Sequence, residues 1–430
     1  MTNSNPKSFK ARDKKVVTRP WSGKPLPVVS AKGCDVTDET GKTFLDFTAG
    51  YFVNQAGHCH PNIVSAASEQ LTKVLQVSGK HTTPPAIELA ERLTGSAPGN
   101  LSEILFTTGG SESNEFAVKM ARQKTGKADL VCLDNGYHGL TLGVLGACSA
   151  AAYRKSSGLP DEEVTAHFYR VPEPYCYRCP VADCCTVQCL DSAEADIEAR
   201  HETAALIAEP VQAVGGIIPP EAWWARLDEI RKRRGLLLIL DEIQTGLGRT
   251  GTMFAAEHYG LEPDIMTVGK GISGGVGSLG GVLSTPEVAA DFFGGTTPTS
   301  GGNAVSAAAG AALFDTIVED KLLENCNKMG DYFAAAVLDI SDPWIGDVRF
   351  KGLLGGIELV LDRESKEILP PKLMSAVSSA LHEDGMLHTV SGPHKNVLRL
   401  QPPLIITSKQ LDRFVVALRG ALTAVRESAK

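Results

Sequence analysis

Several things are missing from this sequence, and each absence narrows what it can be. No apolar run approaches the ~20 residues that a membrane-crossing helix needs, so no spanning segment is expected. The first seventeen residues are polar and basic with no apolar centre, which does not fit a secretory leader. A soluble, cytoplasmic protein with free thiols is therefore expected. There is no excess of positive charge. Lys and Arg number 42 against 50 Asp and Glu, a formal net charge of -8, so neither nucleic acid nor an anionic membrane is expected as a partner. Repeats and low-complexity segments are absent. No zinc-protease, Walker-type or serine-elbow motif occurs.

Glycine is abundant, at 43 of 430 residues, and many fall in pairs beside apolar runs. That pattern suits an α/β enzyme with tight turns at its strand ends. The length fits two domains, or one large domain and a smaller one. Residues 1 to about 30 read as an extended arm. Residues 34–47 read as a hairpin turning at Glu39-Thr-Gly41. Gly57-His-Cys-His-Pro61 opens a helix, with Pro61 in its first turn, and helical periodicity continues over 63–77 and 86–93. Strands are then expected at 103–107, 130–133, 204–208, 236–240, 265–268 and 279–283, with helices at 112–122 and 223–233 between them. Continuous apolar strands separated by helices give a mostly parallel sheet covered on both faces. An Ala-rich helix follows at 304–318, then a smaller α+β unit with strands near 353–359 and 396–400. The expected division is 1–60 as arm and hairpin belonging to the small domain, 61–303 as the large domain, and 304–430 as the C-terminal small domain.

Ten cysteines occur. Cys34, Cys59, Cys132, Cys148 and Cys326 are scattered, like small packing residues. Cys176, Cys179, Cys184, Cys185 and Cys189 crowd into fourteen residues. Cys176-x-x-Cys179 has metal-like spacing, so a zinc or iron–sulfur knuckle or a stapled loop is one reading. A Pro- and Cys-rich surface insertion is the other. The adjacent Cys184–Cys185 pair is not the usual tetrahedral layout, and no metal is assigned. His58 and His60 are read as structural.

The chemistry centres on Asp264-Ile-Met-Thr-Val-Gly-Lys-Gly, where Lys270 follows a short buried strand and stands between two glycines. A lysine desolvated at the C-terminal edge of a parallel sheet can attack a carbonyl. Thr107-Thr-Gly-Gly-Ser-Glu-Ser-Asn114 joins a strand to a helix and makes an anion cup, with Gly110 and Ser111 at the helix start. Ser111 would also serve as an ordinary N-cap. Asp241 closes the most apolar strand, and Ile243 shares its face by alternation. Tyr137, beside His138 and between glycines, can cover a planar ring. Arg399 lies inside an apolar segment and needs a carboxylate or phosphate. Gly269-Lys-Gly-Ile-Ser-Gly274 matches a dinucleotide loop, but the glycines after it cannot make the required helix. Lysine, anion cup, acid and aromatic are together what pyridoxal phosphate requires.

With these residues in view, the chain resembles the class III, or ω-, aminotransferases among the fold type I pyridoxal phosphate enzymes. The likeness runs from about Gly33 to Ala421. It rests on Gly57-His-Cys-His-Pro61, Thr108 to Glu115, Tyr137-His-Gly139, Glu209-Pro-Val-Gln212, Asp241 to Gly251, Gly269-Lys-Gly271, Thr299 to Asn303 and Leu398 to Leu404. The resemblance implies a seven-stranded-type sheet sandwiched by helices and a homodimer with shared active sites. It makes Lys270 the Schiff-base lysine and proton shuttle, and Asp241 the partner of the pyridine nitrogen. Gln244 would reach the phenolic oxygen, Gly110 and Ser111 the phosphate. Tyr137 and Ile243 would cover the two ring faces, with His138 also in the coenzyme site. Thr299 would reach the phosphate across the dimer. Arg399 would bind the substrate carboxylate, Glu209 would pair with it otherwise, and Tyr51 would line the substrate pocket. The glycines flanking Lys270 would give it slack to swing away. A ping-pong transfer from an amine or ω-amino acid to a 2-oxo acid is implied; a racemase or a decarboxylase on the same scaffold is the alternative. Leu140 stands where γ-aminobutyrate and ornithine-type members usually carry arginine, and Tyr51 stands where dialkylglycine decarboxylases carry glutamine.

Overall fold

The computed structural model describes residues 9–19, 25–179, 187–295 and 297–429. In chain order its strands are β1 (Val28–Lys32), β2 (Asp35–Asp38), β3 (Thr43–Asp46), β4 (Glu103–Thr107), β5 (Asp129–Leu133), β6 (Phe168–Val171), β7 (Thr203–Ala208), β8 (Leu237–Asp241), β9 (Ile265–Val268) and β10 (Gly280–Ser284). The remaining strands are β11 (Ile345–Lys351), β12 (Leu354–Asp362), β13 (Glu367–Ile368), β14 (Met386–Leu387), β15 (Thr389–Ser391) and β16 (Val397–Leu400).

The central sheet has seven strands in the order β4-β10-β9-β8-β7-β5-β6. All neighbours from β9 to β6 run parallel, and β10 lies antiparallel to both β4 and β9. Every residue of β7, β9 and β10 is buried, as expected of strands with helices on both faces. β6 is the strand that periodicity misses. Its sequence, Phe-Tyr-Arg-Val, is buried only at its two ends. It lies at the sheet edge, where a continuous apolar run is not needed.

The helix Gly110–Thr125 follows β4 and ends at Gly126, whose φ of 68° lets the amide close on Arg122, a left-handed glycine cap. The helix Pro61–Leu71 is shorter than its apolar pattern suggests. Beyond it, Val74 and Leu75 are exposed. The chain is instead tied to the 299–303 segment: Asn303 Nδ2 donates to the Leu75 carbonyl at 2.9 Å and Gln76 Nε2 to the Thr299 carbonyl at 2.6 Å. The expected arm also differs, carrying a helix over Phe9–Val16 and a strand from Val28.

A second sheet, β11-β12-β16-β15 with β13 on β12, is antiparallel throughout. A third is β1-β2-β3-β14, in which β3 and β14 pair in parallel, joining the N-terminal hairpin to the C-terminal region. The helix Ala304–Glu319 packs on Pro61–Leu71, on Pro84–Ser96 and on the turn Lys270–Ser273. A Cβ on its Gly310 would sit 2.1 Å from the Ile272 carbonyl oxygen, so only glycine permits that approach. Among the described residues no helix is long and apolar enough to cross a membrane.

Candidate active site

The parallel strands β8 and β9 end side by side, with Asp241 registered against Thr267. Their continuations carry Asp241 to Gln244 and Lys270. The N-terminus of the helix Gly110–Thr125 faces them across the sheet end. A Cβ on Gly110 would lie 2.8 Å from Ile243 Cδ1, and one on Gly269 would lie 3.3 Å from the Gly110 Cα. Three segments thus meet with no room for side chains on either glycine.

This changes the reading of the glycines around Lys270. A Cβ on Gly271 would come within 2.3 Å of Gln55 Nε2. Close packing on both sides, not slack, is what requires glycine there. Lys270 itself has a φ of 45° and begins a single 3-10 turn. A non-glycine residue there costs about 1–3 kcal/mol and marks a functional constraint. Glycine-rich chain and then β10 follow this turn, not the helix a dinucleotide loop would need.

Asp241 is buried at 3% exposure. Its Oδ2 accepts from Asn114 Nδ2 at 2.7 Å and lies 2.8 Å from His138 Nδ1; its Oδ1 accepts from the Ile243 amide at 3.1 Å. Asn114 is fixed in turn, donating to the His138 carbonyl and accepting from the Thr267 hydroxyl, each at 2.7 Å. The carboxylate is therefore held rigid by a buried, hydrogen-bonded frame. Asn114 and Thr267 were not singled out from sequence. The signal for Asn114 was its position three residues after Ser111, on the same helix face. His138 sits beside Asp241, and its Nε2 is buried with no partner among the described residues, as is Gln244 Nε2.

Lys270 makes no ion pair and no side-chain hydrogen bond among the described residues. Burial lowers its ammonium pKa, opposed by the charges of Asp241 and Glu209 and reinforced by Arg399. Those three groups therefore share one electrostatic site with the lysine. Ser111 lies in the first turn of its helix, not at the cap, which is Gly109. Its Oγ accepts from the Leu140 amide at 3.3 Å. Tyr137 packs edge-on against Tyr153, ring centroids 5.3 Å apart, and burial raises its phenol.

Glu209 is buried and its carboxyl raised, chiefly by burial. Its oxygens accept from the amides of Tyr137 at 3.1 Å and Ala213 at 3.0 Å. Arg399, on β16, donates to Thr389 Oγ1 and to the Ala213 carbonyl, each at 3.2 Å, and lies 4.3 Å over the Phe52 ring. Glu209 and Arg399 thus both bond to the backbone of Ala213, one at its amide and the other at its carbonyl, and no ion pair joins them. Tyr51 is 65% exposed with a φ of 69°, and its phenol is among the groups that hold up the Arg399 guanidinium against burial. Thr299 is not brought into this cluster. It is exposed, and its carbonyl faces Gln76. His58 bonds Asp46 at 2.9 Å, a structural contact. No group of three or more His, Cys, Asp or Glu among the described residues could hold a metal ion; Cys184 and Cys185 lie outside those residues.

The aminotransferase class-III family model matches residues 17–422. The acetylornithine aminotransferase of Mycolicibacterium smegmatis is 33% identical over 425 residues, covering 98% of this chain and 100% of that protein. The (S)-enantioselective omega-transaminase of Thermomicrobium roseum superposes with a TM-score of 0.89 at 32% identity, covering 97% and 98% of the two chains. A Bacillus anthracis aminotransferase gives a TM-score of 0.91 at 29% identity, covering 99% and 100%.

Proposed function

The chain belongs to the class III aminotransferases, and on that premise we propose that the Lys270 cluster holds pyridoxal phosphate and a 2-oxo acid or amino donor in turn. It is an aminotransferase with the fold type I architecture of its relatives. The observation that carries the site assignment is a lysine with no partner among the described residues, in a turn with positive φ, within the electrostatic reach of buried Asp241, Glu209 and Arg399.

The residues present fit the coenzyme. Gly110 and Gly269 leave a side-chain-free floor beside Ile243, and buried Gln244 Nε2 and His138 Nε2 have no partner among the described residues. Asp241 would be the acid for the pyridine nitrogen, Gln244 the donor to the phenolic oxygen, and Gly110 and Ser111 the phosphate cup. Ile243 and Tyr137 would cover the ring. When bound, pyridoxal phosphate supplies the electron sink for a carbanion at the substrate Cα. Lys270 would anchor the coenzyme, and its Nζ would carry the substrate Cα proton. Asp241, held by a fixed frame of donors, would pair with the ring nitrogen. Tyr137, Ile243 and Phe52 exclude water from the reacting face.

Arg399 binds the carboxylate of the oxo acid. When an amine without a carboxylate enters, Glu209 turns to Arg399 so that no buried cation is left alone. The donor is an amine or ω-amino acid; an acetylated ω-amino acid, as in the name of the M. smegmatis relative, falls within that class. Leu140 supplies no second cation for a distal carboxylate, so within that class an amine without one is favoured over an ω-amino acid. The unit of function is a homodimer in which exposed Thr299 completes the partner's phosphate site.

The test is the purified protein with pyridoxal phosphate. A visible absorbance band should appear, be bleached by donor amine and return with pyruvate or 2-oxoglutarate. Lys270→Ala should lack it. A band that survives that substitution would sink the assignment, and inversion of an enantiopure amino acid without acceptor would indicate a racemase.

A further inference from the structure

Ala213, whose backbone meets both Glu209 and Arg399, lies in a short turn closed by the isolated bridge between Gln212 and Ile217. The Ala213 amide donates to Glu209 Oε2 at 3.0 Å, and its carbonyl accepts from Arg399 Nη1 at 3.2 Å. Two residues on, the turn is gripped from outside. Arg349 Nε donates to the Gly215 and Gly216 carbonyls, each at 3.1 Å, and its Nη2 donates to Gly215 O at 2.8 Å. The Gly215 amide donates to Ser391 Oγ at 3.3 Å. Gly215 and Gly216 have φ of 87° and 61°. A Cβ on Gly216 would lie 3.0 Å from the Gly355 carbonyl carbon of β12, so the turn is pressed onto the second sheet as well as bonded to it.

Arg349 is fixed in its own right. Its Nη1 meets Asp347 Oδ2 at 2.5 Å and Glu358 Oε2 at 3.0 Å, and its Nη2 donates to the Tyr175 hydroxyl at 3.1 Å. Glu358 is fully buried and also holds Arg178 Nε at 2.6 Å. With two carboxylates on it, Arg349 has no charge to spare for a substrate. What it supplies is the planar fork, aimed at two successive carbonyls.

We propose that Arg349 is a positioning residue for the Glu209–Arg399 pair, acting through the 213–216 turn and so setting affinity for the carboxylate-bearing acceptor. The inference rests on the reading of Arg399 as the carboxylate-binding residue. For Glu209 to reach Arg399 it must release the Ala213 amide, and for a carboxylate to displace it the amide must be there to take it back. A turn held at Gly215 and Gly216 returns Glu209 to the same place. A loose turn would let Ala213 follow Glu209 and Arg399, blurring the two arrangements. In a half-reaction without a carboxylate Glu209 has left the Ala213 amide for Arg399 and is not called back, so the hold on the turn matters less there.

The experiment uses holoenzyme carrying Arg349→Met, Arg349→Lys or Ser391→Ala. It measures KM and kcat for 2-oxoglutarate or pyruvate, and separately the bleaching rate with an amine lacking a carboxylate. Loss of hydrogen bonds from a charged fork should raise the acceptor KM on the order of tenfold in Arg349→Met, with the amine half-reaction little changed. Arg349→Lys should recover part of the effect, and Ser391→Ala should move KM in the same direction by less. If Arg349→Met fails to fold, the other two variants still decide. An unchanged acceptor KM, or both half-reactions slowed equally, would overturn the proposal. Arg399→Ala is the control: if it leaves acceptor KM unchanged, the underlying reading of Arg399 fails, independently of Arg349.

Discussion

Two acids stand next to each other at the end of β8, and the structure gives them opposite roles. Asp241 faces the site. Glu242 points into the core at 1% exposure, accepting from the Ala256 amide at 2.8 Å and from the Thr245 hydroxyl. It meets no cation among the described residues, and burial pushes its carboxyl up to about 7 from an ordinary 4.5. The linkage sign follows. Between those two values the folded protein holds a proton that the unfolded chain has released, so stability falls as pH rises through this window. At about 1.4 kcal/mol per pH unit, the loss reaches roughly 3 kcal/mol by pH 8 and is under about 1 kcal/mol at pH 5. Glu242→Gln keeps the shape, keeps an acceptor for Ala256 and gives Thr245 an amide partner, but does not titrate. The variant should therefore be more stable than the parent by roughly 3 kcal/mol at pH 8 and nearly equal to it at pH 5. It should also retain transamination, because Asp241 is untouched. Paired urea unfolding midpoints at the two pH values read the difference. A stability gap of the same size at both pH values would refute the reasoning, as would a variant that loses activity while keeping its fold.

Three other substitutions probe the frame around the coenzyme site. Asn114→Ala leaves the buried His138 carbonyl and Thr267 hydroxyl without partners and frees Asp241; a loss of about 2–6 kcal/mol of stability and weaker pyridoxal phosphate binding should appear in thermal melts and coenzyme titration. Gly310→Ala puts a Cβ 2.1 Å from the Ile272 carbonyl, so the helix must move off the Lys270 turn; an overpacking cost of about 1–3 kcal/mol and a shifted visible band of the bound coenzyme are expected, and an unshifted band would show that the helix does not set the turn. Mixing Lys270→Ala with Thr299→Ala protomers should restore activity, since one site of the mixed dimer would have both residues intact; no recovery on mixing would mean that Thr299 acts within its own chain.

How much of this was legible beforehand depended on whether a residue's role is local. The strand ends carrying Asp241 and Lys270 could be read because a continuous apolar strand that stops at a charged residue is a one-dimensional signal. The same was true of the glycine-rich start of the helix Gly110–Thr125. β6 was not legible, because an edge strand with arginine and tyrosine carries little apolar pattern. The helix beginning at Pro61 was read too long because Val74 and Leu75 keep the apolar period after their backbone has turned toward Asn303, some 230 positions away. Asn114 is harder to read for a related reason: its spacing from Ser111 puts it on the site's helix face but does not say that two strand ends converge on it. The glycines around Lys270 are the sharpest case. Sequence marks them as special but offers two causes, conformational freedom or absence of a side chain. Only the neighbours decide, and Gly110, Ile243 and Gln55, brought from three other segments, decide for absence. Motion of Lys270 away from the coenzyme must then come from its own four-carbon side chain, within a backbone held on both sides.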